Sequence, residues 1–233
     1  MPAKKESVSF FFPAYFDGES IPGLVKEAYA ILLKSGRDFE IIVVDDCSPD
    51  NTGKIADGLA KEMKNVRVVH NKRNLGYGGA LTEGFLSAKK ELVGFTDGDG
   101  QFSLGNLPKF LDAIEGNDVV VGYRKNRSEG FTRKLFHDCY KLSLLLVLGM
   151  DFRDPDCGFK LLRRRHFEKI RPVSGSGFFS AEMLFRAKLA GLRIKEIPVK
   201  HLPRRYGQSK CFKPGEIFAM GRDVLAMRFG KSK

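Results

Sequence analysis

Short apolar runs that close on carboxylates or proline, separated by segments of helical period, constrain this chain more than any other feature. Val8 to Phe12 is a short apolar run that stops at Pro13, and Glu40 to Val44 closes on Asp45 and Asp46. Val66 to Val69 follows, then Leu92 to Phe95, which ends in Thr96-Asp97-Gly98-Asp99, and then Asp118 to Val121. Between them, Ile21 to Leu33 places Ile21, Leu24, Val25, Ala28, Ile31 and Leu32 at helical spacing, with Gly36 as its stop. Gly53 to Met63, a Gly-rich stretch at Asn71–Gly79 running into a helix through Leu86, and Leu104 to Ile114 read as further helices. Apolar runs without alternation suit strands buried on both faces. Strand and helix in alternation give an α/β fold, a mostly parallel sheet with helices on both faces. Such sheets bind ligands beyond the carboxyl ends of their strands. Pro13, Asp45, Asp46, Asp97 and Asp99 are therefore expected to converge on one rim.

The second half is less regular. Phe131 to Gly149 predicts a long helix, Phe159 to Leu162 a strand, Ser180 to Leu189 a helix, Arg193 to Val199 a strand, and Pro214 to Phe229 a terminal helix with proline in its first turn. No repeat or linker-like tract divides the 233 residues, a length that suits one domain and buries a core without disulfides. The expected organisation is a catalytic domain over 1–211 with a terminal helix over 212–233. Cys47, Cys139, Cys157 and Cys211 form no C-x-x-C pair, so neither zinc nor a disulfide framework is expected, and a reducing cytoplasm is the default. The longest apolar run, Leu142 to Met150, is too short to span a bilayer, and the N-terminus lacks a signal pattern. The net charge of +12 asks for an anionic partner: nucleic acid, a membrane surface or phosphorylated molecules.

Asp97-Gly98-Asp99-Gly100-Gln101 is the sharpest motif. Two carboxylates one residue apart at a strand end can share Mg²⁺ or Mn²⁺ with a bound phosphate, since these ions take oxygen ligands and keep positions open; a polar turn is the alternative. Asp45 and Asp46 could accept hydrogen bonds from a base or ribose, and Asp50, Asn51 and Thr52 are capping residues. Asn74 to Ala80 could cradle phosphate on backbone N–H groups, or form a structural turn. Arg204 to Lys210 is a basic loop able to clamp a pyrophosphate. Arg124, Arg127 and Arg133 form a second basic group, and Arg163-Arg164-Arg165 reads as a solvated or membrane-facing patch. No nucleophile elbow is present.

In order along nearly the whole chain, these pieces resemble family 2 glycosyltransferases of GT-A fold, and within them the dolichol-phosphate mannose synthase branch that glycosylates polyprenyl phosphates. Pro13-Ala14-Tyr15 resembles P-x-Y-N-E, and Val43 to Thr52 resembles V-V-D-D-G-S-x-D-x-T. Asn74-Leu75-Gly76 resembles N-x-G, and Asp97 to Gln101 resembles D-A-D-x-Q. Asp154 to Phe159 resembles D-x-x-x-G-F, and Glu182 with Glu196-Ile197-Pro198 resembles the E … E-V-P tract. Arg204 to Lys210 resembles R-x-x-G-x-S-K. The resemblance implies that Pro13, Tyr15, Val44 and Asp46 hold base and ribose. It gives Asp97, Gly98 and Asp99, with Gln101, to the metal and sugar diphosphate. Arg204, Ser209 and Lys210 would close over the phosphates, and Arg124 and Arg133 would receive the acceptor phosphate. Five positions depart from the pattern, one of them His137, which stands four residues after Arg133 where the family often has Ser. Phe16 and Asp17 stand where the family has Asn-Glu, so Asp17 takes the carboxylate's part on a shorter arm. Cys47 and Gly98 replace Gly and Ala, changes expected to matter little.

The implied reaction is a metal-dependent inverting transfer of a hexose from GDP-mannose or a UDP-sugar to a polyprenyl phosphate, catalysed around Asp97 and Asp99. It would take place at the cytoplasmic face of a membrane, with the protein bound peripherally. The phosphate acceptor is already an anion, so no strong general base is required. The terminal helix either lies on an anionic surface through its apolar and basic residues or docks on the core. A family 2 transferase acting on a hydroxyl, a nucleotidyltransferase and a nucleic-acid binder are the rivals. Trp is absent and Phe sits in apolar runs rather than among basic residues, which speaks against nucleic acid.

Overall fold

The structure is a computed structural model that describes residues 5–125, 131–203 and 214–229; the side chains of residues 131–137, 214, 216 and 217 are outside the described set. Among the described residues seven strands form one sheet: β1 Val8–Ala14, β2 Phe39–Asp45, β3 Val66–His70, β4 Leu92–Thr96, β5 Val119–Arg124, β6 Phe159–Arg163 and β7 Ile194–Val199. Their spatial order is β3-β2-β1-β4-β6-β5-β7. Every pairing is parallel except those of β6, which runs antiparallel to both β4 and β5. The sequence pattern predicts β6 as a strand but carries nothing about its direction. That direction matters, because β6 begins on the rim where β4 and β5 end.

The helices are α1 Ile21–Ser35, α2 Thr52–Glu62, α3 Gly76–Ser87, α4 Leu107–Ala113, α5 Phe131–Leu148, α6 Phe167–Ile170, α7 Phe179–Leu189 and α8 Pro214–Phe229. They cover both faces of the sheet. On one face α1, α2 and α4 bury Val25, Leu32, Leu59 and Phe110 against Phe10, Phe12, Ile41 and Val43. On the other, α3, α5, α6, α7 and α8 bury Phe85, Leu144, Phe167, Leu184 and Val224 against Phe11, Ile42, Phe95 and Val119. The unbroken Ser-Phe-Phe-Phe of β1 is thus explained: alternate side chains feed opposite cores, and every residue of the strand is buried. The predicted stop of α1 holds, since Gly36 takes a left-handed φ of 67° and its N–H returns to the Leu33 carbonyl.

The basic run Arg163 to Arg165 is not simply solvated. Arg163 lies on β6 with its guanidinium on the carbonyls of Asn117 and Ile114 and on the Glu6 carboxylate, so it ties strand ends together. Arg164 reaches the Lys90 carbonyl. Both sit at the sheet edge opposite the acidic rim.

α3 lies directly on β1. A Cβ at Gly84 would overlap the Phe11 ring, which itself packs on Phe85 and Phe95. Gly84→Ala should therefore lower stability by about 1–3 kcal/mol in urea unfolding. Gly23→Ala, at an exposed site on α1 with open space around it, should raise stability by up to about 1 kcal/mol. Equal behaviour of the two would refute the packing argument.

Candidate active site

The rim is built from the carboxyl ends of β1, β2, β4, β5 and β7 and the start of β6. Asp46, one residue past β2, is buried, and its carboxylate faces inward to the loop before α3. One oxygen accepts from Asn71 Nδ2 at 2.7 Å and the Leu75 N–H at 2.8 Å, and the other accepts the Gly76 N–H at 2.9 Å. Asn74 Nδ2 donates to the Asp46 carbonyl, and the Asp46 N–H to the Ala14 carbonyl. The start of α3 does hold an anion, as its N–H groups favour, but the anion is the protein's own. Of the two readings of Asn74 to Ala80, phosphate cradle or structural turn, these bonds favour the turn: the N–H groups of Leu75 and Gly76 are already taken.

Asp97 follows β4 directly. Its Oδ1 accepts the Tyr77 hydroxyl at 2.9 Å, a contact delivered by the second residue of α3. Its carboxylate lies so close to the backbone of Gly158 that any Cβ there would overlap it, so the glycine of the Asp154–Phe159 segment has a steric reason. Burial, and then the charge of Asp99, push Asp97 up to about 7, against the pull of Tyr77, Lys160 and Arg124. Asp99 Oδ1 accepts the Gln101 N–H at 3.0 Å. Gly98 approaches β1 tightly: a Cβ would stand 2.5 Å from the Pro13 carbonyl, and Ser20 Oγ donates to the Gly98 carbonyl. The alanine of the family motif would not fit here without a shift, so this departure has consequence after all.

Tyr15, Phe16 and Asp17 turn the chain from β1 into α1. Asp17 Oδ2 accepts the Tyr15 N–H at 2.9 Å, and the Asp17 N–H donates to Thr52 Oγ1 at 3.1 Å. Asp17 thus fixes the turn. Cys47 sits at a left-handed φ of 56°, where the family has glycine, so its Cβ carries strain that the motif residue would not. Val44, in β2, is buried in the core of the α3 face.

On the other side of Asp97, Arg124 ends β5. Its Nε and Nη2 hold the buried Asp154 carboxylate bidentately at 2.7 and 2.9 Å, and the guanidinium side chain is only 14% exposed. The expectation gave Arg124 to an acceptor phosphate; the structure gives it to Asp154. Arg133 falls on α5 with its side chain outside the described residues, and Arg204, Ser209 and Lys210 lie outside them altogether. The root of their loop is described. The Leu202 N–H donates to the Gln101 carbonyl at 2.7 Å, the Ser103 N–H to the Lys200 carbonyl, and Phe102 bridges His201. The chain therefore enters Arg204 to Lys210 alongside Gln101, two residues from Asp99.

Lys160 escaped sequence reasoning. It is the second residue of β6, fully buried, with Nζ donating to the carbonyls of Pro155 and Cys157. Burial lowers its pKa, and the charges of Cys157, Asp156, Asp154 and Asp97 oppose that. The same burial pushes Cys157 up to about 12, an unreactive thiol. Read in sequence, Phe-Lys-Leu-Leu places a lysine on the face of a strand with no sign that carbonyls await it.

The set fits a hard divalent cation in its chemistry: oxygen donors, and a carboxylate raised by burial and then by its neighbour's charge. Among the described residues no cluster of three or more His, Cys, Asp or Glu side chains is assembled for a metal. A divalent ion held by Asp97 and Asp99 alone would draw its other ligands from phosphate oxygens and water, the usual habit of Mg²⁺ in nucleotide sites. No described helix is long and apolar enough to cross a membrane.

Comparisons with known proteins agree with this geometry. The model of glycosyl transferase family 2 matches residues 9–171. The chain is 31% identical over 212 residues to undecaprenyl-phosphate mannosyltransferase of Micrococcus luteus, covering 85% of this chain and 84% of that protein. It is 31% identical over 232 residues to glycosyltransferase AglD of Haloferax volcanii, but spans only 36% of that protein's length. It is 28% identical over 236 residues to dodecaprenyl-phosphate galacturonate synthase of Rhizobium johnstonii, covering 98% of this chain and 68% of that one. Glucosyl-3-phosphoglycerate synthase from Mycobacterium tuberculosis, solved with Mn²⁺, UDP and glucosyl-3-phosphoglycerate, superposes with a TM-score of 0.74 at 18% identity. That superposition covers 98% of this chain and 81% of the other, and at such identity the likeness speaks for the fold, which is of GT-A type.

His70 stands at the exposed end of β3, on the rim. Its Nδ1 lies 2.9 Å from Asp45 Oδ2 and its Nε2 3.1 Å from Asp57 Oδ1. The hydrogen bond to Asp45, then that to Asp57, raises the His70 pKa above its ordinary value of 6.5. A raised histidine adds stability that is fully present below the unfolded pKa and is lost as pH rises through the folded one. His70→Gln should therefore destabilise the protein more at about pH 5.5 than at about pH 8.5. Urea midpoints that shift equally at both pH values would contradict the pairing.

Proposed function

The chain belongs to glycosyl transferase family 2, and from that premise we propose that it moves a hexose from a GDP- or UDP-sugar to a polyprenyl phosphate at the cytoplasmic face of a membrane. One observation carries the reading most. Asp97 and Asp99 meet, at the end of β4, the root of the Arg204–Lys210 loop, held beside Gln101. The acidic pair and the last described residues before Arg204 to Lys210 thus share one edge of the sheet, which supports a diphosphate site there. The names of two relatives, an undecaprenyl-phosphate mannosyltransferase and a dodecaprenyl-phosphate galacturonate synthase, support the acceptor class.

In this reading Asp97 and Asp99, with Gln101, hold Mg²⁺ or Mn²⁺ and the sugar diphosphate. The ion, when bound, supplies positive charge for the departing nucleoside diphosphate. Tyr77 and Gly158 keep the Asp97 carboxylate in place from two sides. Pro13, Tyr15, Asp17 and Val44 shape the nucleotide end, where Asp46 acts by fixing the loop into α3. Arg204, Ser209 and Lys210 close over the phosphates and exclude water. An oxygen of the acceptor phosphate forms the new bond to the anomeric carbon as the bond to the diphosphate breaks on the opposite face, so the sugar inverts and no proton needs removing. Arg133 is the acceptor's cation, and Arg124 stays on Asp154.

The lipid also needs a landing face, and α5 and α8 supply one. They pack against each other. α8 turns Met220, Val224 and Met227 to the core and Phe218, Arg222, Leu225 and Phe229 outward. The terminal helix docks on the core, and its outward apolar and basic residues support, beside that, a contact with a membrane surface. Phe218 is 76% exposed and Phe229 77%, and Leu146 on α5 is 75% exposed beside Leu142 and Leu145. Apolar side chains rimmed by arginines suit an anionic bilayer. Residues 1–211 would carry the transfer and 212–233 the membrane contact, shared with α5.

Two experiments test the reading. Wild-type protein, Mg²⁺ or Mn²⁺, a panel of GDP- and UDP-sugars and a polyprenyl phosphate should yield glycosyl-phosphate lipid, and Asp99→Ala should lose about a hundredfold or more of that activity. Full activity in Asp99→Ala would sink the metal role. Flotation with phosphatidylglycerol vesicles should carry the wild type upward and leave behind the Phe218→Glu, Leu225→Glu double variant. Unchanged flotation of that variant would reject the α5/α8 face.

A further inference from the structure

The Asp97 carboxylate stands between two props that come from distant parts of the chain. From α3 the Tyr77 hydroxyl donates to Oδ1 at 2.9 Å. From the approach to β6 the backbone of Gly158 crowds Oδ2, which any Cβ at that position would overlap. The register accounts for the second contact. β6 runs antiparallel to β4 with Phe159 opposite Thr96, so one step further along each chain Gly158 comes to face Asp97. The place of the Gly158 backbone therefore limits the place of the carboxylate.

Gly158 lies just outside the ladder, which begins at Phe159. It follows a turn in which the Cys157 N–H donates to the Asp154 carbonyl at 3.1 Å. Pro155, Cys157 and Gly158 are all buried, and buried carbonyls need donors. The carbonyls of Pro155 and Cys157 take theirs from a single atom, Nζ of Lys160, at 3.2 Å from the first and closer to the second. Nζ also lies 5.8 Å from the ring centroid of Phe95, which is the partner of Lys160 across the ladder and stands two residues before Asp97. The lysine thus leans on the strand that carries Asp97 and grips the turn that carries Gly158. Full burial is a costly place for an amino group. The strand around it is apolar, Phe159, Leu161 and Leu162, and an apolar side chain of similar length would fill the space without that cost. It would also leave two buried carbonyls without a donor. The amino group is there for the turn, and the turn bears on Asp97.

Resting on the transferase reading above, in which Asp97 and Asp99 take a divalent ion, we propose that Lys160 is the positioning residue for Asp97. By gripping the Pro155 and Cys157 carbonyls it sets Gly158 against the carboxylate, and so sets the affinity of the acidic pair for the metal. Lys160 acts through the turn and touches neither the ion nor the substrate. Groups placed behind a metal's ligands commonly tune its affinity by about tenfold to a hundredfold.

Mn²⁺ alone, titrated into the full chain and followed by loss of the free-ion EPR signal, tests this. Lys160→Met keeps the length of the side chain and removes the donor, and should weaken Mn²⁺ binding by about tenfold. Lys160→Gln, whose amide ends one bond short of the lysine nitrogen, should weaken it as well and serves where Lys160→Met fails to fold. Leu32→Ala provides the comparison for stability, since Leu32 is fully buried in α1 on the other face of the sheet. It should lower the urea midpoint and leave Mn²⁺ affinity unchanged. Wild-type Mn²⁺ affinity in a folded Lys160 variant, or an equal loss in Leu32→Ala, would overturn the proposal while the transferase reading stands. Failure of the wild type to bind Mn²⁺, alone and with GDP or UDP present, would overturn the metal site of that reading, and this inference with it.

Discussion

A buried carboxylate with three donors on it organises this protein. Asp46 gathers the side chain of Asn71 and the N–H groups of Leu75 and Gly76, and so decides where α3 begins. The rest of the rim follows from that start. One residue on, Tyr77 reaches Asp97. At the next residue, Gly78, α3 lies against the backbone of Ser174 and Gly175. That loop is in turn held by α8, where Asp223 accepts from the hydroxyls of Ser174 and Ser176 at 2.6 and 2.8 Å. Glu182 of α7 secures the same loop through the N–H groups of Val173 and Ser174. A single short path of hydrogen bonds and close packing therefore joins the end of β2, the acidic pair and the terminal helix.

Much of the fold was legible because strand ends are punctuated. A run such as Ile-Ile-Val-Val followed by two aspartates states both burial and its limit, and the alternation with helical periods then fixes the class. The rim could be anticipated for the same reason: in a parallel sheet the residue after each strand lies on one edge. What the pattern cannot carry is direction and partnership. Phe159 to Arg163 reads the same whether it runs with β4 or against it. Arg124 and Asp154 are 30 positions apart, and only the antiparallel entry of β6 sets one beside the other.

Buried cations were the systematic blind spot. Lys160, Arg163 and Arg124 are counted by composition as part of a surface surplus, yet each turns inward to carbonyls or a carboxylate. Long basic side chains can do this wherever turns leave oxygen atoms without helix or sheet partners. The charge that remains for phosphate and lipid is accordingly smaller than +12 suggests, and it is distributed differently. Departures from the family motif were misjudged in the same spirit. Gly98 and Cys47 look like neutral exchanges on paper; the first is demanded by the Pro13 carbonyl and the second is strained.

The reversed strand also governs the order in which the molecule can assemble. In the strand order, β5 touches only β6 and β7, both made after it. The first four strands can pair among themselves as soon as they exist, through crossovers of modest length. β5, with its three consecutive buried valines, has no partner until the chain has grown through β6, and the edge of β4 stays open over the same interval. A nascent chain of that length presents the open edge of β4 and a wholly unpaired β5, the circumstance in which sheets pair with the wrong molecule. Translation past Arg163 is thus the step that commits the sheet, and a chain truncated between β5 and β6 is expected to be a substrate for chaperones rather than a small folded domain.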